Sequence, residues 1–390
     1  MSNNLSPWPS FSEEEANAVS KVLLSNKVNY WTGDECRQFE NEFAQWVGCN
    51  HAIALANGTL ALDVALKALG VEQGDEVITT PRTFLASASS IVTSGATPVF
   101  ADVDLNSQAI TAESIERVLT PRTRAVIVVH LAGMPADMDP IMELAKLNDF
   151  FVIEDCAQAH GAMYKGRSVG TIGHVGAWSF CQDKIMTTGG EGGMVTTNDH
   201  KLWSKMWSYK DHGKSYDAVY NKQHSPGFRW LHDSFGTNWR MTEIQGVIGR
   251  IQLSRMADWT KKRQYNASKI DDAVKDLNVV RRVEVPEDIV HAEYKHYLFL
   301  RPENLAKGWT RDRIIEEILS RNVPVFQGSC SEVYLEKAFD NTGWRPQKRL
   351  ERAVELGETS LMFLVHPTIT VEQIARCVTV IREVLIEAQA

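Results

Sequence analysis

The alternation of short apolar runs with helix-like segments constrains the fold of this chain most strongly. Four runs rich in Val and Ile are "EVITTP" (76–81), "TPVFADV" (97–103), "AVIVVH" (125–130) and "FFVIED" (150–155). Helix-like segments lie between them, among them 59–69 and 138–148. Continuous apolar strands separated by helices predict a mostly parallel sheet that is covered on both faces, in an α/β fold.

The pattern changes near residue 250. Residues 250–277 predict one long helix with charged faces. The remainder predicts an α+β unit, with a strand within 293–302 and a final helix near 370–389. We therefore expect a large α/β domain at 1–250 and a smaller C-terminal α+β domain at 251–390.

Charge and hydropathy argue against two kinds of partner. The net charge of −8 disfavours nucleic acid and anionic membranes, which both attract basic surfaces. No apolar run approaches the roughly 18 residues of a membrane span, and the first residues do not form a signal peptide. We expect no membrane partner and no nucleic-acid partner.

The cysteines and histidines indicate no metal site. The six cysteines have no CxxC spacing, so we expect reduced thiols in a cytoplasmic protein. "HAEYKH" (291–296) lacks the spacing of HExxH, and we expect a solvated surface stretch there.

A glycine and a threonine open one of the predicted helices. Asn57-Gly58-Thr59 follows an apolar run. The first N–H groups of a helix have no partner inside the helix and lie at the positive end of its dipole, so this stretch suits a phosphate. An ordinary helix N-cap explains the same residues, and it is the commoner explanation for such a motif standing alone.

Asp155 ends the predicted strand 150–155, where open α/β sheets bind their ligands. It could be a solvated carboxylate, a magnesium ligand of a nucleotide hydrolase, or an acid that pairs with a protonated ring nitrogen. The hydrolase requires GxxxxGK[ST], but before "HGKS" (212–215) the first glycine is replaced by Ser208, so we discount it. Gln158 follows three residues later and could donate to a nearby oxygen.

Lys184 lies between an apolar-aromatic stretch and a glycine-rich turn, in "SFCQDKIMTTGGEGGMV" (179–195). Glycines let the backbone reverse tightly and approach a ligand closely. A desolvated, neutral lysine can form an imine with an aldehyde. A surface lysine beside a hairpin is the alternative, and it would be preferred without the other motifs.

Together these motifs fit one cofactor, pyridoxal 5'-phosphate. It needs a lysine for its aldehyde, an acid at its pyridine nitrogen, a hydrogen bond on its oxygen side and a cup for its phosphate. The chain offers the required residue types at Lys184, Asp155, Gln158, Gly58, Thr59 and Ser179.

Five longer segments carry a resemblance to a known family. They are 56–88, 97–104, 152–180, 183–199 and 236–253. They resemble the DegT/DnrJ/EryC1/StrS family, pyridoxal-phosphate sugar aminotransferases with the aspartate-aminotransferase-like fold (fold type I). The resemblance spans about residues 30–255 and is weaker in the C-terminal domain. This chain has "TTGGEGG" where the family usually has TTGEGG.

The resemblance implies roles around the cofactor ring. Lys184 would be the Schiff-base lysine and the acid/base of the proton shift. Asp155 would pair with the pyridine nitrogen, and Phe84 would stack on the ring. Gln158 would contact the hydroxyl side of the ring or the sugar.

It also implies residues for the phosphate and the substrate. Three residues of the same chain would hold the phosphate: Gly58, Thr59 and Ser179. Asn238 would reach that phosphate from the other subunit, which implies a homodimer with shared active sites. Arg240 would contact the substrate diphosphate unless it forms a structural ion pair, and His212 would lie near the sugar unless it is a surface residue.

The implied reaction transfers an amino group from L-glutamate, which becomes 2-oxoglutarate, to a nucleotide-linked keto sugar. We expect a 4-keto-6-deoxyhexose, giving a 4-amino-4,6-dideoxy sugar for surface polysaccharide (O-antigen). The alternatives are amination at C3, a pyridoxal-phosphate sugar dehydratase and a non-enzymatic pyridoxal-phosphate-binding regulator. Some relatives with histidine in place of the lysine dehydrate sugars, so Lys184 favours transamination.

Overall fold

Three sheets and thirteen α-helices form most of the structure, a computed structural model that describes residues 5–390. The strands, in chain order, are β1 (His51–Leu55), β2 (Glu76–Thr79), β3 (Thr97–Phe100), β4 (Thr123–Val129), β5 (Phe151–Asp155), β6 (Met163–Tyr164), β7 (Arg167–Ser168), β8 (Val175–Ser179), β9 (Gly193–Thr197), β10 (Val280–Arg282), β11 (Ile289–Val290), β12 (His296–Leu300), β13 (Val325–Phe326) and β14 (Ser360–Phe363).

The helices cover both ends of the chain and the connections between strands. In chain order they are α1 (Glu13–Leu24), α2 (Glu35–Val47), α3 (Gly58–Ala68), α4 (Ala86–Thr93), α5 (Ala112–Glu116), α6 (Met138–Asn148), α7 (His200–Lys210), α8 (Tyr216–Tyr220), α9 (Glu243–Ser254), α10 (Met256–Val274), α11 (Arg311–Ser320), α12 (Glu351–Thr359) and α13 (Val371–Ala388).

The largest sheet has seven strands in the order β1-β9-β8-β5-β4-β2-β3. The pairs from β8 through β3 are parallel, whereas β9 is antiparallel to both β8 and β1. The predicted mostly parallel sheet is therefore confirmed, and the four apolar runs form β2, β3, β4 and β5. The antiparallel edge arises because the glycine-rich turn after β8 returns the chain directly as β9.

Apolar side chains cover both faces of this sheet. On one face, Leu62 and Leu66 of α3 pack with the buried side chains of the strands. On the other face, the rings of Phe39 and Phe43 from α2 contact Phe180 just after β8. Burial of each such side chain contributes about 1.5–3 kcal/mol, so the carboxyl ends of the strands rest on a rigid support.

The C-terminal part forms a second core around the antiparallel sheet β10-β12-β14-β13. Helices α10, α11 and α13 bury Ile270, Ile314 and Ile381 against it. Leu5 packs against the same core, so the first described residues lie beside the C-terminal part. The division at residue 250 stays a prediction, and that residue lies inside α9.

The single long helix predicted over 250–277 is wrong, because two helices meet there. The backbone N–H of Arg255 donates to the carbonyl of Gln252, which leaves the helical pattern at that residue. The side chain of Arg255 pairs with Glu14 and Glu15 of α1. A charge pattern along one segment could not reveal this partner from a distant helix.

The expectation of a solvated stretch at 291–296 is also wrong. His291, Glu293 and His296 are buried. Nδ1 of His296 lies 3.2 Å from Glu293, and its Nε2 lies 3.2 Å from Asp271. Burial opposes the charged imidazole, but the two carboxylates outweigh it and raise the pKa of His296 to about 10. The charged groups tolerate burial because they compensate one another.

Two expectations about the whole chain have structural counterparts. All six cysteines are free thiols, as expected. No helix within residues 5–390 combines the length and the apolar character needed to cross a bilayer.

We predict that the buried His296 makes the protein less stable in alkali. A histidine pKa raised from about 6.5 to about 10 stabilises the fold fully below about pH 6.5, and this contribution is lost as the pH rises toward 10. The thermal midpoint should therefore fall more steeply between pH 7 and 10 in the wild type than in His296→Gln. His232→Gln, a change at an exposed histidine, is the control. Parallel curves for wild type and His296→Gln would contradict the assignment.

Candidate active site

The candidate site lies at the carboxyl ends of β5 and β8. These strands are parallel neighbours, and Asp155 pairs with Ala177, two residues before the end of β8 at Ser179. Lys184 follows five residues later, close enough for its charge to lower the pKa of Asp155. The sheet register thus brings Asp155, Ser179 and Lys184 to one edge.

The first turn of α3 and the end of β8 form a cradle of hydrogen-bond donors. Asn57 caps α3 with its side chain, and the N–H groups of Gly58 and Thr59 donate to no acceptor within residues 5–390. A Cβ on Gly58 would lie 2.5 Å from the Cβ of Ser179, so only glycine permits this approach. The hydroxyl of Ser179 accepts from the N–H of Cys181 at 3.3 Å, which leaves its proton for a ligand. This arrangement suits a phosphate.

Asp155 is a buried carboxylate without a salt bridge in the described part of the chain. Its Oδ2 accepts from the hydroxyl of Ser87 at 2.8 Å, and its Oδ1 accepts from the N–H of Ala157 at 3.1 Å. Burial raises its pKa, while these two hydrogen bonds and Lys184 counteract the rise. A carboxylate in this state favours a cationic neighbour, such as a protonated ring nitrogen.

Ser87 is a site residue that the sequence did not predict. Its oxygen lies 2.9 Å from the hydroxyl of Thr83, and the N–H of Thr83 donates to the carbonyl of Cys330. Phe84 lies between them in sequence, and its side chain is 72% exposed. An exposed apolar ring near Ser87, the hydrogen-bond partner of Asp155, is suited to stacking on a ligand. The polar residues around Phe84 in "RTFLASA" (82–88) were the one sequence feature that could have indicated Ser87.

Gln158 is buried with its orientation fixed. Its Oε1 accepts from the N–H of Ala132 at 2.7 Å. Because only the carbonyl oxygen can accept, this bond leaves the amide nitrogen as the donor toward a ligand. The nitrogen has no acceptor among residues 5–390, which fits the predicted hydrogen bond on the oxygen side of a cofactor ring.

Lys184 is held by Trp8 near the start of the chain and by Tyr294 in the C-terminal part. Its carbonyl accepts from the indole N–H of Trp8 at 2.9 Å. Its Nζ lies 5.2 Å from the ring centroid of Tyr294, whose hydroxyl donates to Asp183. Sequence reasoning missed Trp8 and Tyr294 because no local pattern connects positions so far apart.

The extra glycine of "TTGGEGG" is accommodated in a left-handed turn. Gly189 and Gly190 have φ values of +86° and +116°. Gly193 lies where a Cβ would meet the carbonyl oxygen of Asn57 at 2.2 Å. The turn thus lets β9 approach the start of α3 while Lys184 keeps its place.

Asn238 lies on a segment fixed beside β1. The carbonyl of Trp239 accepts from the N–H of Ala56 at 3.0 Å, and Arg240 bridges to Leu55. The side chain of Asn238 is exposed and has no hydrogen-bond partner within residues 5–390. Its predicted contact with a phosphate in another subunit stays a prediction.

Arg240 and His212 lie near this segment. The Nη1 of Arg240 lies 2.8 Å from Oδ1 of the buried Asp211, which also faces Lys214 at 3.2 Å. Arg240 therefore forms the structural ion pair that was its alternative role, and its contact with a substrate diphosphate stays a prediction. His212 is exposed with φ +60°, and its N–H donates to Thr237. Its proximity to a sugar also stays a prediction.

A buried histidine, glutamate and cysteine meet behind Asp155, with donor atoms within 4.8 Å: His130, Glu154 and Cys156. The carboxylate of Glu154 accepts from the Nε2 of His130 and from the three backbone N–H groups of Gly170, Ile172 and Gly173. Nδ1 of His130 accepts from the N–H of Ala136, so Nε2 carries the proton. These hydrogen bonds explain the cluster as the anchor of the loop before β8.

The site residues fit pyridoxal phosphate. The cradle at the start of α3 offers free N–H groups to a phosphate, and a Cβ at Gly58 would clash with Ser179 there. An undercompensated carboxylate at Asp155, an exposed ring at Phe84 and the amine of Lys184 supply the remaining requirements. Gln158 adds a donor of fixed direction.

Known proteins are similar to this chain in sequence and fold. Residues 9–382 match the DegT/DnrJ/EryC1/StrS aminotransferase family. The GDP-perosamine synthase of Escherichia coli O157:H7 is 35% identical over 86% of this chain and 90% of its own. The UDP-N-acetyl-3-dehydro-alpha-D-glucosamine 3-aminotransferase of Acidithiobacillus ferrooxidans is 35% identical over 96% and 94%.

A crystal structure of an aminotransferase from Psychrobacter cryohalolentis agrees closely with the fold described above. Its TM-score is 0.97 at 63% identity, covering 98% of this chain and 99% of that chain. The family match extends across the site and both cores. The chain therefore belongs to the DegT/DnrJ/EryC1/StrS aminotransferase family, whose enzymes are pyridoxal-phosphate-dependent nucleotide-sugar aminotransferases.

Proposed function

We propose that this enzyme uses pyridoxal phosphate to transfer an amino group from L-glutamate to the keto carbon of a nucleotide-linked 4-keto-6-deoxyhexose. The observation that carries the proposal is the convergence of Lys184, Asp155 and the Gly58–Ser179 cradle at one edge of the parallel sheet. The product would be a 4-amino-4,6-dideoxy sugar for a surface polysaccharide such as O-antigen. A cytoplasmic location is part of this proposal, because the six cysteines are expected to be reduced.

Each residue of the site has a defined task in this reaction. When bound, pyridoxal phosphate supplies an aldehyde carbon for the amine and a ring that accepts electrons. Asp155 keeps the proton on the ring nitrogen, and Ser87 holds Oδ2 of Asp155 in place. The amine of Lys184 removes the Cα proton of glutamate and later delivers a proton to the sugar carbon. A positioned acid/base of this kind is worth about 10²–10⁴ in rate.

The position of amination separates two candidate substrates. Amination at C4 is supported by the likeness of "NWRMTEIQGVIGRIQL" (238–253) to C4-acting relatives. The name of the E. coli relative, GDP-perosamine synthase, contains a sugar linked to GDP, which supports a nucleotide-linked product. Amination at C3 is favoured by the 3-aminotransferase of A. ferrooxidans, which has the same identity.

One experiment tests the function directly. Purified protein should show a visible absorption band that is lost when L-glutamate is added and restored by a matching keto sugar. Mass spectrometry and NMR of the product should locate the new amine on C4. An amine on C3 would establish the alternative substrate, and loss of water without amine transfer would establish a dehydratase. A band that glutamate leaves unchanged would indicate a regulator that only binds the cofactor.

We predict that Lys184→Ala abolishes amino transfer. Removal of the amine eliminates both the covalent attachment and the proton carrier, and loss of the proton carrier alone should lower turnover by about 10²–10⁴. The cofactor should then leave the protein on dialysis. The control is Lys201→Ala, at an exposed lysine on α7. Normal turnover in Lys184→Ala would refute the role of this lysine.

We predict that Asn238 acts on the site of the partner subunit. Loss of its hydrogen bond to a charged phosphate should weaken cofactor binding about tenfold to a hundredfold in Asn238→Ala. Mixed dimers of Lys184→Ala and Asn238→Ala chains then contain one intact site if Asn238 acts across the interface. At a cofactor concentration too low to load Asn238→Ala, such mixtures should therefore show activity that both parent proteins lack.

If the two residues belong to the same chain's site, the mixed dimers have no intact site and regain nothing. That result, or a fully active monomer, would contradict the shared site. The mixture of Lys184→Ala with wild type gives the activity expected for one intact site per mixed dimer.

A further inference from the structure

A cavity of about 310 Å³ lies between the N-terminal segment and the C-terminal part, next to the residue that precedes Lys184. Its polar lining includes Asp183, Lys295 and His366, and Trp8 forms part of its wall. The remaining wall is largely aliphatic, with Leu5 and Leu364. The volume is at the lower end of the range for small-molecule sites.

The cavity lies within reach of the reactive amine. Nζ of Lys295 is 4.8 Å from the ring centroid of Tyr294, and Nζ of Lys184 is 5.2 Å from the same centroid. The two amines are therefore separated by no more than the sum of these distances, about 10 Å. Lys295 makes no salt bridge within residues 5–390, so its ammonium group is available to a ligand.

A second cation lies behind the wall of the cavity. The guanidinium carbon of Arg263 is 5.0 Å from the ring centroid of Trp8, and the residue is 1% exposed. Its Nη1 donates to the carbonyl oxygens of Tyr294 and Glu293 at 3.3 and 3.4 Å. Its Nε and Nη2 have no partner among the described residues. A buried guanidinium without a carboxylate in contact is costly; the nearby Glu293 acts on Arg263 electrostatically, but its carboxylate contacts His291 and His296 instead.

Lys295 and Asp183 are side chains of opposite charge in the lining of the cavity. Asp183 is the carboxylate of its lining, and it already accepts from the hydroxyl of Tyr294. Burial, Arg263 and Lys184 lower the pKa of Lys295 to about 8 against the effect of Asp183, so the ammonium form prevails at pH 7. Burial, Arg263 and Lys295 lower the pKa of His366 to about 3, so that side chain is neutral.

We propose that this cavity binds the side-chain carboxylate of the amino-group donor, a five-carbon dicarboxylate, with Lys295 as its cationic contact. The inference rests on the proposed transamination. The carboxylate would give the ammonium group of Lys295 the direct ion pair that it lacks within residues 5–390, while the aliphatic wall covers the methylene groups. Lys295 would thus select a dicarboxylic amino acid over an apolar one.

The geometry allows this reach. An extended five-carbon amino acid places its side-chain carboxylate about 6 Å from its amine, and a hydrogen bond adds about 2.8 Å. The two lysine amines are at most about 10 Å apart, so the resulting span of about 9 Å is comparable to the largest separation that these contacts allow. The phosphate cradle at Gly58 is formed by other elements, so the cavity does not compete for the cofactor.

Binding of an unreactive dicarboxylate tests the proposal. Titration calorimetry on the cofactor-loaded protein would compare glutarate with pentanoate, which has the same length and one carboxylate. The wild type should bind glutarate at least tenfold more tightly than pentanoate. Lys295→Met should lose this preference by weakening glutarate alone, and Lys295→Arg should retain most of it. Lys307→Met, at an exposed lysine of the C-terminal part, should change neither ligand.

A second variant predicts a change of the opposite sign. Asp183→Asn removes the carboxylate that competes for Lys295, so glutarate should bind more tightly, which a loss of folding could not produce. The proposal is overturned if glutarate shows no preference in the wild type, if Lys295→Met keeps it, or if Asp183→Asn weakens glutarate.

The titration also separates this inference from the proposed function. Glutarate does not react and no sugar is present, so a Lys295-dependent preference would stand even if no keto sugar were aminated. Conversely, normal amino transfer with a glutarate affinity that ignores Lys295 would overturn only the carboxylate site.

Discussion

The close approach of α3 to the end of β8 is the constraint on which the site depends. Because Gly58 has no side chain, the first turn of the helix comes within van der Waals reach of Ser179, and its free N–H groups face the same edge as Asp155. The parallel register of β5 and β8 fixes Asp155 relative to Ser179. A larger residue at position 58 would separate the phosphate cradle from the carboxylate and the amine that must act on the same ligand.

Buried charge around this edge is distributed unevenly, and the difference has a functional meaning. Glu154 is fully satisfied by three backbone N–H groups and His130, so it stabilises the loop before β8. Within residues 5–390, its neighbour Asp155 accepts from two neutral donors, and Lys295 forms no salt bridge. Groups that a protein buries without full compensation are suited to meet the charge of a ligand. Asp155 and Lys295 have opposite signs, as a ring cation and a donor carboxylate require.

Much of this arrangement could be predicted from the sequence because its signals are local. The Val- and Ile-rich runs identify β2 to β5, and their parallel pairing places Asp155 at a ligand-binding edge. Gly58 and Lys184 lie in short motifs whose chemistry can be predicted from the local sequence. The family resemblance supplied the combination of roles that no single motif could justify.

What could not be predicted depends on contacts between distant segments. The helix break at Arg255 follows from its pairing with α1, and the burial of His291 to His296 follows from mutual charge compensation. The sequence was equally compatible with a substrate contact and with an ion pair for Arg240, and the structure shows the ion pair with Asp211. The cavity at Lys295 is lined by residues near both ends of the chain, so no local sequence pattern predicts it.

Covalent trapping of the cofactor tests the central claim most directly. Borohydride reduction of the protein as purified, followed by peptide mass mapping, should find a pyridoxyl group on Lys184. No other lysine should carry it in a stoichiometric amount. A protein that remains unlabelled after reduction in the presence of added pyridoxal phosphate, or one labelled at another lysine, would contradict the account.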